Sequence, residues 1–212
     1  MLVKEEESYI ENILNEIRDI GYIKPEDIPN IDLYMDQVTT FMDEHLKSSK
    51  RYDDDKMLTK TMINNYTKNN LLPSPHKKKY SKEHMLLLIF IYYFKNILSI
   101  NDIQQIFTPL TERFYSQEEN IQLEDIYREV FSLEHDQMDS LVKDVIRKQK
   151  KASSTFEQVE EGEDKDFLTT FSLVCMLGFD VYVKKMMIEK IIDKEIGGIG
   201  KQKMQTEKKE KK

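Results

Sequence analysis

The stretch KMLTKTMINNYTKNNLLPSPHKKKYSK, residues 56–82, decides how this chain is interpreted. It contains seven lysines and neither Asp nor Glu. The whole chain of 212 residues has a formal charge of −7, so the remainder without this stretch carries −14. A basic segment in an acidic chain creates a local positive field that attracts polyanions such as nucleic acid. The alternative interpretation is a solvated lysine surface that has no partner.

The composition indicates a soluble, mainly α-helical protein. Six Gly and five Pro are too few for the many turns of an all-β fold. The single cysteine, Cys175, excludes an internal disulfide and a multi-cysteine metal site, and its place on an apolar helix favours the core. The N-terminus does not have the pattern of a signal peptide, and the longest apolar run, residues 85–94, is about half a membrane span. We therefore expect a cytoplasmic protein with no membrane partner.

Within the basic stretch, residues 59–68 predict a short helix that has two different sides. Thr59 is suited to cap its N-terminus. At 100° per residue, Ile63 and Tyr66 fall on one apolar side. The opposite side is formed only by Lys, Asn and Thr: Lys60, Thr61, Asn64, Asn65 and Lys68. Asn can pair with adenine, Thr with the thymine methyl, and Lys with phosphate or guanine, so this side is suited to a DNA major groove.

The residues that follow predict a cationic loop. Two prolines in LLPSPHKKKYS exclude a helix there. We expect Lys77, Lys78, Lys79 and Tyr80 to contact the phosphate backbone and His76 to act as a further donor, in the manner of a wing beside a recognition helix.

Hydrophobic spacing predicts helices on both sides of this region. Before it, helices are expected over about residues 5–20, ended by Gly21, and 32–46. After it, Ser81 is suited to cap a helix that is apolar on every side over 85–94, which must be covered by other helices or a second subunit.

The rest of the chain is also predicted to be helical. Ser99 and Asp102 form an approximate capping box for the next helix. The second half predicts separate helices around 126–131 and 138–146, an exposed loop over 147–165, and a long helix over 166–195.

These residues resemble the MerR-type DNA-binding domain, and more closely a family of uncharacterised bacterial proteins, a domain of unknown function that shares its helix-turn-helix and wing. The resemblance covers about residues 30–110 and rests on IDLYMDQVTTFM, LTKTMINNYTKNNLLPSPHKKKYSKEH and FKNILSINDIQQIF. It implies a mainly α fold with an N-terminal MerR-like winged helix-turn-helix and a C-terminal helical bundle. Asn64 and Asn65 stand where MerR proteins typically have Arg and Tyr, and the wing is shorter, so base preference does not carry over.

We divide the chain accordingly into four parts. They are an N-terminal helix and linker (1–30), a winged helix-turn-helix domain (31–112), a C-terminal helical domain for dimerisation or ligand sensing (113–196), and a disordered basic tail (197–212).

No motif for catalysis, metal binding or a cofactor stands out. The four histidines lack HxxxH or HExxH spacing, and the acidic run Asp53–Asp55 lacks the Gly and terminal Glu of a calcium loop. Phosphate-binding glycine motifs are also missing from the sequence. We therefore expect a non-enzymatic protein without metal or cofactor.

The sequence favours a transcriptional regulator that binds double-stranded DNA sequence-specifically as a homodimer. The alternative is a protein–protein interaction module that keeps the helix-turn-helix fold without reading DNA. Whether a small-molecule effector binds the C-terminal domain is left open.

Overall fold

The computed structural model describes residues 2–18, 23–115 and 121–197, and these residues are mainly α-helical, as predicted. The helices are α1 (Leu2–Arg18), α2 (Met35–His45), α3 (Lys60–Lys68), α4 (Lys82–Phe94), α5 (Ile100–Phe114), α6 (Leu123–Ser153) and α7 (Glu163–Ile191). A π-helical turn, Ile192–Ile196, follows α7, and short 3-10 turns cover Pro25–Asp27 and Lys47–Ser49. The predicted stop at Gly21 and almost all of the predicted tail, residues 198–212, lie outside the described residues.

Two short strands hold the start of α2 next to the start of α4. Strands β1 (Leu33–Tyr34) and β2 (Lys79–Tyr80) pair antiparallel, with Leu33 opposite Tyr80 and Tyr34 opposite Lys79. The helix expected from residue 32 therefore begins only at Met35, because the two preceding residues are extended and belong to the strand pair.

The chain divides into two compact units. The first, which we call the basic unit, comprises residues 23–131 and 188–197 of the described chain. The second, the long-helix unit, comprises α1 and residues 132–187. Residues 2–18 thus group with the second half of the sequence, a point that the sequence pattern left open.

Helix α4 is the centre of the basic unit. His84 and every residue from Met85 to Tyr92 are buried. Phe90 shows how the cover is built: its ring centroid lies 6.4 Å from that of Phe107 on α5 and 5.2 Å from that of Tyr127 on α6. The all-round apolar helix is covered by helices of its own chain.

The predicted helix starts are present. The Met62 N–H donates to the Thr59 hydroxyl oxygen over 3.2 Å at the start of α3. At the start of α5, the Asp102 N–H donates to the Ser99 hydroxyl over 3.2 Å, and the Ser99 N–H donates to the Asp102 carboxylate over 3.2 Å. Ser81 is the N-cap residue of α4. Each cap satisfies N–H groups that have no partner inside the helix.

Three predictions for the second half are wrong. The separate helices expected around 126–131 and 138–146 are parts of one continuous helix, residues 123–153. Of the expected loop, residues 163–165 belong to α7 and residues 147–153 belong to α6. This segment has no Gly or Pro, and its Lys, Arg, Gln and Ala residues favour helix even where they are polar. Cys175 is exposed on α7 and not in the core.

Helix α7 is long and apolar enough to matter for the question of a membrane span, which the longest uninterrupted apolar run, residues 85–94 of α4, did not indicate. Residues Glu163–Ile196 form 34 helical residues with an 18-residue window of mean hydropathy 1.4, of which 6% is buried. By length and composition alone this is a helix that can cross a membrane. The longest uninterrupted apolar run, residues 85–94, did not reveal this helix because Thr169, Thr170, Ser172, Gly178 and Asp180 interrupt its apolar residues.

Candidate nucleic-acid interface

Helix α3 presents the predicted polar side to solvent. Ile63 is 0% and Tyr66 is 6% exposed, so these two residues fix the helix against the core. The five residues of the opposite side are all exposed: Lys60, Thr61, Asn64, Asn65 and Lys68. One helix face is therefore held rigidly while the other is free to contact a partner.

The lysine turn, which we define as residues His76–Lys79, is a tight hairpin. The Lys79 N–H donates to the His76 carbonyl oxygen over 2.9 Å. Lys77 and Lys78 between them have φ values of 49° and 65°, the left-handed pair of a type I′ turn. Gly or Asn normally fills these positions because a Cβ costs about 1–2 kcal/mol there. Lysines at both positions place two exposed cations at the tip at a cost in backbone strain.

Tyr80 lies under the lysine turn and not on its surface. It is 3% exposed, its ring centroid lies 5.4 Å from that of His84, and burial raises the pKa of its hydroxyl. A phosphate contact would require an exposed hydroxyl. We therefore assign Tyr80 a supporting position beneath the turn and leave it out of the contact surface.

A buried histidine connects the base of this turn to α5. The Ser81 N–H donates to His84 Nδ1 over 3.0 Å, and the Tyr115 hydroxyl lies 2.8 Å from the same nitrogen. Burial lowers the pKa of His84 and raises that of Tyr115 to about 12. A neutral imidazole that accepts the Ser81 N–H fixes the first turn of α4 directly behind β2.

Two neighbours of the basic residues come from β1 and α2, and sequence reasoning missed both. The exposed ring of Tyr34 lies 5.2 Å from Lys79 Nζ, within cation–π distance. Asp36 forms an ion pair with Lys60, so a carboxylate adjoins the α3 face that the sequence pattern showed as free of acid. The β1–β2 register places Tyr34 opposite Lys79, and the packing of α2 against α3 places Asp36 beside Lys60. No local pattern signals either a strand of two residues or this packing.

The remaining lysines of residues 56–82 differ in how available they are. Lys82 pairs with Glu124 over 2.7 Å. Lys68, Lys77 and Lys78 are exposed and have no ion pair within the described part of the chain. Lys79 is half-buried beside Tyr34. Lys56, before the start of α3, is exposed as well. The positive surface therefore lies at both ends of α3 and at the tip of the lysine turn.

The described residues contain no group of three or more His, Cys, Asp or Glu that could hold a metal ion. In the acidic run, the Asp55 carboxylate accepts the Tyr52 N–H over 3.0 Å and so closes a turn. An open cavity of about 430 Å³ lies beside the start of α3. Its charged lining contains both signs, Asp43 and Glu44 against Lys56 and Lys60, and so it has no strong preference for the charge of a ligand.

A family model matches residues 23–130, and its description is domain of unknown function DUF1836. The chain belongs to this family. The DUF1836 match ends one residue before the first segment of the basic unit ends at Phe131, and it extends beyond the 30–110 expected from sequence. No curated protein and no solved structure matches the chain.

Proposed function

We propose that this DUF1836 protein is a cytoplasmic transcriptional regulator that binds double-stranded DNA sequence-specifically as a homodimer. In this proposal α2 and α3 form a MerR-like helix-turn-helix, the lysine turn with β1 and β2 forms its wing, and the long-helix unit serves as the C-terminal helical domain. The protein has no enzymatic role.

The observation that carries the proposal is the pairing of one anchored helix with one strained cationic turn. Helix α3 exposes Asn64 and Asn65, whose amides can pair with base edges in a major groove. Lys77 and Lys78 occupy left-handed positions for which lysine is poorly suited. Strain of this kind is expected where function requires a particular side chain, here a cation for phosphate.

The roles divide between specificity and position. Lys60, Thr61, Asn64, Asn65 and Lys68 face the bases and the adjoining phosphates. His76, Lys77, Lys78 and Lys79 contact the backbone, with Tyr34 orienting Lys79. The ion pair with Asp36 lowers the cost of holding Lys60 extended but must be exchanged for DNA contacts on binding.

The test is DNA binding by fluorescence anisotropy at two salt concentrations, with a fragment upstream of the gene itself and a scrambled fragment. If three to five cations of each protomer contact phosphate, the dimer should give a slope of log K against log salt of roughly −5 to −9. Lys77→Ala/Lys78→Ala removes four cations from a dimer and should reduce that slope by about 3 to 4 on any sequence.

Matched variants separate the two roles. Lys150→Ala/Lys151→Ala removes two exposed lysines from α6 and should leave the slope unchanged. Asn64→Ala should weaken binding to the upstream fragment by about 5- to 100-fold, with little change on the scrambled fragment. Equal, weak binding of both fragments that neither variant alters would refute the proposal.

An acidic protein partner is the second candidate. Asp36 already pairs with Lys60, and Tyr34 and Ile31 are 55% and 67% exposed beside the strand pair. Exposed aromatic and aliphatic side chains next to cations are typical of protein interfaces. Capture of a protein that resists nuclease treatment but requires Lys77 and Lys78 would favour this role.

A further inference from the structure

The outward side of α7 is apolar over about four turns. At 100° per residue, the residues between Phe167 and Tyr182 that lie within about 80° of Phe171 contain no charged side chain, and the next residue in this sector is Lys185. The exposed members of this surface, which we call the α7 face, are Phe167, Phe171, Val174, Cys175, Gly178, Phe179, Val181 and Tyr182; Phe179 and Val181 lie at its edges.

The inward side of α7 is already occupied within the long-helix unit. Leu173 is 8% exposed, and Asp180 forms an ion pair with Lys148 of α6. Within residues 167–182, the buried Leu173 and the charged Asp180 are therefore on the side opposite to the α7 face. The side that remains uncovered there has no charged residue.

The α7 face is large enough for a specific interface. Its four aromatic side chains are 53–67% exposed. At about 150–250 Å² for each aromatic side chain, these four alone present on the order of 500 Å². A standard interface buries about 800 Å² on each partner. The largest apolar patch on a typical soluble monomer is about 300–600 Å² and is often functional, and the four aromatic side chains alone reach this size.

Gly178 lies near the middle of the α7 face without a local reason. A Cβ added there would meet nothing within 4 Å. Glycine in a helix interior costs about 1 kcal/mol relative to alanine. An exposed glycine flanked by Val174, Phe179 and Tyr182 is useful where a second helix approaches closely or inserts a side chain.

Chain connectivity argues against a lipid-facing role for this face. The basic unit contains both the start of α6 and the end of α7, so a crossing by α7 requires a return crossing by α6. Helix α6 contains thirteen charged residues, and Lys148–Asp180 would lie within the span. Charges of this number are too costly in a bilayer.

We propose that the α7 face is the self-association surface of this protein, and that its occupant is the same face of a second copy. An exposed stripe that has no charge between Phe167 and Tyr182 suits an identical stripe, because over this length neither side has a charge that would lose water without gaining a partner. The inference names the surface behind the proposed dimer but does not depend on the DNA contacts.

Sedimentation velocity of the full chain from about 1 to 50 µM, without detergent, tests the proposal. Wild type should sediment as a dimer in the upper part of this range. Phe171→Glu should raise the dimer dissociation constant by on the order of 30-fold or more. Gly178→Leu, which meets open space within one chain, should weaken association while leaving thermal unfolding of the monomer unchanged or improved.

Met187→Glu is the matched control. Met187 is 57% exposed on the same helix but lies about 160° from Phe171, so association should not change. A wild-type monomer at 50 µM would overturn the proposal, as would equal effects of Phe171→Glu and Met187→Glu. The proposal would also be overturned if wild-type protein were recovered only in the membrane fraction of cells and floated with phosphatidylcholine–phosphatidylglycerol vesicles.

Cysteine cross-linking then reports the arrangement of the two helices. Cys175 is near the midpoint of the α7 face, so mild oxidation should yield a covalent dimer whether the helices run parallel or antiparallel. In a Cys175→Ser background, Phe167→Cys should cross-link only if they are parallel. No cross-link at Cys175 in a protein that sediments as a dimer would place the interface elsewhere.

The two proposals fail in different measurements. If the protein dimerises through the α7 face but binds DNA without dependence on sequence or salt, the proposal for the α7 face stands and the proposed regulatory function fails. If it binds the upstream fragment specifically as a monomer, the proposed DNA interface stands and the proposal for the α7 face fails.

Discussion

Helices α4 and α7 are both rich in apolar residues, yet the fold treats them in opposite ways. In α4 the residues from His84 to Tyr92 are all buried by α5, α6 and the rest of the basic unit. In α7 one side packs inward and the other leaves Phe167, Phe171 and Phe179 more than half exposed. Apolar composition shows that a helix needs cover, but it does not show whether the same chain provides that cover.

The largest expected difference is in stability. Leu88→Ala empties a fully buried site in α4 and should lower the free energy of unfolding by about 3–4 kcal/mol. Phe171→Ala should change the stability of the monomer by less than about 0.5 kcal/mol, because its side chain is exposed. Urea denaturation at a concentration below the dimer range measures both. Equal losses would show that α7 is covered within one chain.

The next largest difference is in the pH dependence of stability. Helix α4 begins with a buried histidine, whereas the α7 face contains no carboxylate or histidine. Burial lowers the pKa of folded His84 below its ordinary value of 6.5, so the unfolded chain binds the proton more readily. Its contribution to stability is complete above about pH 6.5 and is lost as pH falls through the folded pKa, with a slope of at most about 1.4 kcal/mol per pH unit.

Denaturation between pH 7.5 and 5 for wild type, His84→Gln and His76→Gln checks this. The dependence should disappear in His84→Gln and persist in His76→Gln, since His76 is exposed. An unchanged slope in His84→Gln would show that His84 is not the source of the pH dependence.

The lysine turn, which precedes α4, differs from the α7 face because its exposed residues are strained lysines and not uncovered apolar side chains. Lys77→Asn/Lys78→Gly should stabilise the fold by about 1–2 kcal/mol, because Asn and Gly adopt left-handed φ at lower cost. The same variant should bind DNA more weakly. Lys77→Ala/Lys78→Ala removes the same charges without relieving the strain, so only its DNA affinity should fall.

The smallest effect is expected at the cap of α3. Thr59→Ala leaves the Met62 N–H without its acceptor and should cost about 1 kcal/mol, whereas Thr59→Ser should cost much less. Thermal unfolding followed by circular dichroism measures the two variants. If Thr59→Ala lowered the free energy of unfolding as much as Leu88→Ala does, the cap of α3 would also be needed for the stability of α4.

Local signals were read correctly where the physics is local. Thr59, Ser81 and Ser99 could be recognised as caps because a capping hydroxyl acts within three residues of itself. The anchoring of α3 by Ile63 and Tyr66 followed from helical periodicity. The continuous α6 was missed because its polar run of residues 147–153 resembles a loop in composition, although its residues favour helix.

The candidate site was only partly predictable for a different reason. The exposed side of α3 follows from spacing, but the Asp36–Lys60 pair depends on the packing of α2 against α3. The burial of Tyr80 and the position of Tyr34 beside Lys79 depend on the β1–β2 register. Residues about 45 positions apart in the sequence become neighbours through two backbone pairs, and no periodic pattern records such a pairing.

The sequence by itself determined that the chain is mainly helical, where several helices begin, and that residues 56–82 form a basic segment, because periodicity, capping and charge are properties of neighbouring residues. Tertiary structure decided which apolar helix is covered, which lysines are paired and which aromatic rings reach the surface. Those outcomes depend on which distant segments share the limited space around α4. Helix α7 is left with an open face because no segment of the described chain covers it.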